Sequence, residues 1–583
     1  MRSAGRGSSL VDAAATAAAR GDGDAAAAHL EEAAREFRAG GATLDRWWVR
    51  PVARIPLAGR QVRAGRVLFR AGARVATAAT TVARTANAEG VRLVGGALDT
   101  TAVRQLEPAL QQAVPTLRSV HAEVSAARSG LLLPVIDRRL GGLGERVRRA
   151  IDGGETAMLG ARVVPDLFGA SGPRRYFVAI VTPAELRGSG GMIANFAELE
   201  AASGRLRLGR VGRAGDLNVG GDPSARKLFG PPDYVTRYGR FSPERTWQNV
   251  TMSPDFPSVA QVVTTLYPQS GGGLVDGVLS VDPAALRDLL KLTGPVTVPE
   301  WPEPLSSANA VDILLRGQYE RFERDERVDF LASATRAVFG RLTAMSLPPP
   351  ATVVRTLAGA VRGRHLMLFS TRPEEQRLFE RMGAAGTMPA LRGDFLAVVS
   401  QNAGANKVDS FLERSVTYRA TVDPESGLVR SEAVVRLENR APAGGLPAYI
   451  LGPAVAGAQP GENRSYLSVY SPLELEGAVL DDRPVLMESA RELQRNVYSA
   501  YVTVPSGRSV TLRLQLRGTV PSGVRYRLDV ARQPTVVDDQ LEVEVHVPSR
   551  PIASGRGLDV DGRVARGRLP LSADRGFELR TAG

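Results

Sequence analysis

Three groups of charged residues stand where packing alone gives little reason for them. Glu185 and Arg187 follow an apolar strand-like run, 176–181, at a polar elbow that leads through Gly190-Gly191 into a second apolar run. Asp255 sits in a Ser253-Pro254-Asp255 turn just before an apolar helical segment, and Arg316, Arg321, Arg324 and Arg327 stud one helical stretch. Guanidinium groups grip phosphate oxygens two at a time, and carboxylates hold Mg²⁺ beside such oxygens. Each group also has a structural reading. Glu185 and Arg187 can form an ion pair or cap the next element, and Asp255 can open a helix. The arginines at 321, 324 and 327 alternate with Glu320, Glu323, Asp325 and Glu326, as on a solvated, ion-paired face. Gly190-Gly191 can serve a tight turn as well as a phosphate. A polar cluster of Asn402, Asn406, Lys407 and Asp409 reads as a loop held by Asx turns or as part of an interface with the C-terminal β domain.

Other chemistries are excluded by composition. There is no cysteine, hence no disulfide, thiolate metal site or cysteine nucleophile. The four histidines, His29, His121, His365 and His546, are far apart and in no metal-ligand spacing. The net charge of +13 invites a nucleic-acid reading, but the positive charge is nearly all arginine and is spread along the chain rather than gathered on one face. No specific nucleic acid is expected, and a mild preference for anionic surfaces remains. No apolar run is long enough to span a membrane, and the alanine-rich start has no signal-peptide pattern.

The elements that must carry these residues indicate a multidomain α+β chain. Residues 1–160 read as a helical stalk or bundle, with narrow apolar stripes over 10–38, 62–94, 101–128 and 135–159. Residues 165–173 read as a linker. Strands and helices then alternate over 172–345, the mark of an α/β domain, with an irregular insertion at 213–245 and one long helix from a cap at 307–309 to Leu342. After Pro348-Pro349-Pro350, residues 346–412 read as an α/β extension of that domain. Period-two alternation over 413–550 predicts a β-sandwich, and 551–583, rich in arginine and glycine, a loose tail.

Several stretches together, including PAELRGSGGMIANFAEL, VDGVLSVDPAALRDLLKLTGPVTVP, SSANAVDILLRGQY and SQNAGANKVDSFLERSVTY, resemble the bacterial family called domain of unknown function 4012, over nearly the whole chain. The resemblance implies an extracytoplasmic cell-envelope protein, membrane-associated through a segment this sequence lacks or bound peripherally. Within it, the order of elements from 175 to 342 is similar to the LytR-CpsA-Psr enzymes, which transfer glycopolymers from a polyprenyl-diphosphate carrier to the wall. That second likeness implies Glu185, Arg187 and Asp255 as catalytic candidates, with Glu185 and Asp255 as Mg²⁺ ligands. It also implies Arg316, Arg321, Arg324 and Arg327 as diphosphate ligands. The arginine of that family's proline-arginine-aspartate turn is missing beside Asp255, and the arginine pairs are shifted, so the likeness speaks to fold before chemistry. The expected function is binding or Mg²⁺-dependent transfer of a wall glycopolymer on its lipid carrier; the alternative is a non-catalytic envelope scaffold.

Overall fold

The computed structural model describes residues 2–49, 51, 55–86, 92–128 and 132–582. Five long helices come first: Arg2–Ala19, Gly23–Leu44, Pro56–Thr85, Thr100–Ala127 and Pro134–Leu167. Their starts follow capping chemistry. Asp22 accepts a bond from the Ala25 amide, Asp99 accepts from Thr101 and Ala102, and prolines open the third and fifth helices. Thin stripes bury little area, so close approach compensates. Gly40 faces the Phe69 ring so tightly that a Cβ there would come within 2.2 Å of it. The last helix runs through 165–167, where a linker was expected. Pro165 lies in its final turn, where the missing N–H forfeits a single bond and the helix ends at Leu167.

A short hairpin, Leu93–Val94 with Ala97–Leu98, leaves the helices and joins the edge of the first sheet through Ala97 and Arg205. That sheet has seven strands. Arg174–Thr182 lies inside it, antiparallel to Met192–Ala202 and parallel to Gly277–Val281, which pairs in turn with Leu366–Ser370. Alternation sends Phe177, Ala179 and Val181 to one face, where the helix Phe256–Gln269, Trp247 and Tyr234 complete a dense aromatic core. Val178 and Ile180 turn to the opposite face, toward the segments 283–293 and 310–344. The insertion at 213–245 is ordered rather than irregular: it folds as Ala214–Val219 and Pro232–Tyr238, with Tyr234 and Tyr238 buried.

The single helix expected up to Leu342 is broken. Ala310–Asp312 passes into a π-helical turn, Ile313–Gly317, then Gln318–Arg321, and Arg324–Ala344 starts afresh. Phe322 is extended at the break and packs edge-on against Trp301 and tilted against Phe330, while Glu323 and Glu326 form a capping box for the next helix. Packing of Phe322 outweighs continuation of the helix.

The C-terminal half comprises an eight-stranded and a seven-stranded mixed sheet that share one apolar core, to which Val416, Val435, Leu467, Val502 and Leu528 all contribute. Asp394–Asn402, expected to belong to the preceding α/β piece, is an inner strand here, antiparallel to Asn463–Ser471 and parallel to Arg525–Ala531. Within the stretch expected to be a loose tail, residues 551–582 are built into the sheets. Ile552–Arg556, Val564–Pro570 and Arg575–Thr581 are strands, and Phe577 and Leu579 reach the core. Arginines alternate with the inward residues there, so the composition resembles a tail although the side-chain period is that of a strand.

Candidate functional site

The elbow after Thr182 sends its two charged residues to different duties. Arg187 is buried, and its guanidinium donates to the carbonyls of Gln248 (3.1 Å), Leu186 (2.9 Å) and Asn402 (3.0 Å) and to Asn249 Oδ1 (3.0 Å). Burial lowers its pKa, against the pull of Glu185 and Asp409. Asp409 accepts from the Leu186 amide (2.8 Å), Asn402 (2.8 Å) and Asn463 (2.6 Å), and burial pushes its pKa up to about 6. The polar cluster at 402–409 is therefore an interface that locks the elbow to the C-terminal sheets. The glycines serve the same closeness: a Cβ on Gly188 would come within 2.1 Å of the Met252 carbonyl, and one on Gly191 within 2.2 Å of the Thr182 carbonyl.

Asp255 opens the helix Phe256–Gln269. One carboxylate oxygen accepts from the Ser258 amide (3.1 Å) and hydroxyl (2.7 Å), the other from the Met388 amide (2.9 Å). Glu185 instead makes a buried ion pair with Lys407. The two carboxylates thus have separate partners, and among the described residues no group of three His, Cys, Asp or Glu is arranged to hold a metal. This donor set does not fit the Mg²⁺ that the sequence likeness implied.

Lys407 begins a second arrangement. Its ammonium lies 5.0 Å from the Tyr319 ring centroid and 4.9 Å from that of Tyr449, and the Arg327 guanidinium lies 5.2 Å and 4.4 Å from the same two rings. Burial acts to lower the Lys407 pKa, but Glu185 and the two tyrosines raise it overall, so it stays charged. Arg316 stacks on Phe411 at 4.4 Å and Arg321 on Trp301 at 5.4 Å. Among the described residues, Arg316, Arg321 and Arg327 meet rings rather than carboxylates, and Arg327 gives one bond, to the Phe322 carbonyl (2.9 Å). For Arg321 and Arg327 the contact described is a cation resting on aromatic rings rather than an ion pair, a contact that leaves most guanidinium N–H groups free. The side chain of Arg324 lies outside the described residues.

Beneath this cluster, between the sheet and the segments 283–293 and 310–344, lies a cavity of about 360 Å³. Its walls are almost entirely aliphatic, with Val178, Ile180, Leu279, Leu314, Leu331 and Val338 among them. Tyr319 lines it as well, so the ring that supports Lys407 and Arg327 is also cavity wall. Just past the π-helical turn Gln318 is buried and Tyr319 half-buried, while Arg316 within the turn is exposed. Neither the cavity nor the roles of Tyr319, Tyr449 and Lys407 was read from the sequence. The one local signal was a glutamine and a tyrosine, Gln318-Tyr319, continuing an apolar helical run.

No curated protein matches the chain. Among solved structures, a putative nutrient binding protein from Legionella pneumophila aligns with 9% identity over 32% of this chain and 71% of its own, at a TM-score of 0.23. Yeast LTA4 hydrolase aligns with 12% identity over 29% of this chain and 28% of its own, at 0.19. An M1 zinc metallopeptidase from Deinococcus radiodurans aligns with 11% identity over 29% and 42%, at 0.18. Likeness at that level passes no activity to this chain. Residues 171–319, which supply the inner strand, its elbow and the turn bearing Gln318 and Tyr319, match the family described as Protein of unknown function (DUF4012).

Proposed function

We propose that the protein binds an anionic amphiphile of the cell envelope, with the apolar chain in the cavity and the charged head on the arginine and aromatic rim. The observation that carries the reading is the double position of Tyr319, which lines the apolar cavity and also bears the Lys407 and Arg327 cations, so that cavity and cationic rim adjoin. The cavity volume falls within the range of small-molecule sites. Apolar walls contribute roughly 25 cal/mol for each Å² of chain they shield from water. Arg327 and Arg316 retain N–H groups for phosphate oxygens.

The resemblance of the order of elements over 175–342 to the LytR-CpsA-Psr enzymes supports a wall glycopolymer on a polyprenyl-diphosphate carrier as the ligand class, and an extracytoplasmic place for the chain. Binding rather than transfer is favoured because Arg187 and Asp255 are committed to internal bonds. The same internal locks support a second reading, a non-catalytic scaffold whose rigid modules assemble envelope partners.

The test is calorimetric titration of the full chain with a soluble polyprenyl diphosphate and with a single-chain alkyl phosphate, with and without Mg²⁺. Binding that is insensitive to Mg²⁺ and weakened about tenfold by Arg327→Ala is the expected result. If the wild type binds neither ligand, the reading fails and the scaffold stands.

A further inference from the structure

The helical bundle ends in two different ways. One end is tied to the domain around the first sheet. There the Thr352 hydroxyl donates to the Ala19 carbonyl (3.3 Å), the Leu98 amide to the Gly204 carbonyl (2.9 Å), and the fifth helix leads into the strand from Arg174. At the other end the second and fourth helices finish and the third and fifth begin. The Arg66 guanidinium donates to the Leu44 carbonyl (2.9 Å) and pairs with Asp45 (2.8 Å), and the Gln61 side chain accepts from the Leu133 amide (3.0 Å). Both turning points therefore meet on the first turns of the third helix.

Large apolar side chains gather at this free end. Trp47 is 79% exposed and Leu57 62%, and Ile55, Leu133 and Val135 are exposed as well. A few turns further in, Leu68, Leu117, Val124 and Leu140 are buried against one another, so the bundle covers its apolar residues there and leaves these uncovered. Single exposed apolar residues are ordinary, but several large ones converging on one end mark a surface that meets a partner.

Charge says which partner. Over 41–66 and 124–143 the only carboxylates are Asp45 and Asp137, and both are matched, by Arg66 and by Arg128 (2.9 Å). Arg46, Arg60, Arg63, Arg138 and Arg139 are exposed in the same stretches and stand in excess. A second copy of this end would set the surplus against itself. A bilayer with anionic headgroups suits both features, since tryptophan and aliphatic side chains enter the boundary between headgroup and acyl chain while guanidinium groups bind the phosphates.

We propose that the free end of the helical bundle is a peripheral docking tip for an anionic lipid bilayer, with Trp47, Ile55, Leu57, Leu133 and Val135 entering the lipid and the surplus arginines on its headgroups. The inference concerns a membrane surface rather than a single bound amphiphile, and it stands independently of the cavity.

The experiment is flotation of the full chain with vesicles of phosphatidylcholine alone and of phosphatidylcholine with about 30% phosphatidylglycerol. The wild type is expected to partition into the anionic vesicles about tenfold more strongly, and to lose most of that binding at about 0.5 M salt. Leu57→Ser with Leu133→Ser, and separately Arg60→Glu with Arg63→Glu, should each weaken it about tenfold. Circular dichroism monitors folding; should the leucine pair fail to fold, the arginine pair and the lipid dependence decide. Full binding by a folded leucine pair overturns the docking tip in favour of electrostatic adsorption, and equal partition of the wild type into both vesicles, or into neither, overturns it as well. Titration with the alkyl phosphate separates this inference from the cavity reading: the tip variants should keep the wild-type affinity. A wild type that floats with anionic vesicles yet binds no alkyl phosphate leaves the tip standing.

Discussion

Arg187 and Arg327 carry the same guanidinium and are both largely buried, yet they have opposite surroundings. Arg187 is surrounded by carbonyl oxygens and the Asn249 amide oxygen, all of them internal. Arg327 lies against two tyrosine rings and gives one bond to the backbone. A guanidinium whose donors are spent holds modules together; one that rests on π-faces keeps donors for an incoming anion. The difference separates charge committed inside the fold from charge with donors to spare more cleanly than burial does.

The contrast is broken first by stability. Arg187→Ala leaves several buried acceptors unpaired across the module interface and is expected to destabilise the chain by about 3–5 kcal/mol in urea unfolding. A loss below about 1 kcal/mol would show that Arg187 is not a lock. Asp255→Ala removes a helix cap and the partner of the Met388 amide, and a loss of about 2 kcal/mol is expected.

A pH series sharpens the same point. Burial raises the carboxyl of Asp409 to about 6, and likewise that of Asp394, which accepts from Tyr418 and Tyr526. Their folded values lie above the unfolded ones. Their contribution is therefore fully present below about pH 4 and is lost as pH rises through about 6. Asp394→Asn should flatten the wild-type fall in stability across that window; an unchanged slope would place the titration elsewhere. Arg327→Ala should have the smallest effect on folding, within about 1 kcal/mol, because it loses a stacked cation and one backbone bond. Its effect belongs in ligand affinity. A large destabilisation would make Arg327 another lock.

Much of the architecture was legible. The helix opened by Asp255 and the strand over 176–181 follow local rules that any chain of this pattern obeys. The candidate site was legible only in part. Glu185, Arg187 and Asp255 were visible as charges beside apolar runs, but whether such a charge meets a ligand or a carbonyl depends on what the rest of the chain brings to it.

The sequence by itself determined the helices, the alternating strands and the arginine-studded stretch, because these depend on neighbours within a few positions. Tertiary structure alone decided that Lys407 would reach Glu185 and Tyr319. It also decided that Phe322 would break its helix to pack edge-on against Trp301, and that the tail would complete two sheets. The cavity arises in the same way, from one sheet face and several separate helical segments, and no local pattern encodes a space between them. Contacts between residues distant in sequence are fixed by the packing of whole elements, and these contacts determine which charges remain free.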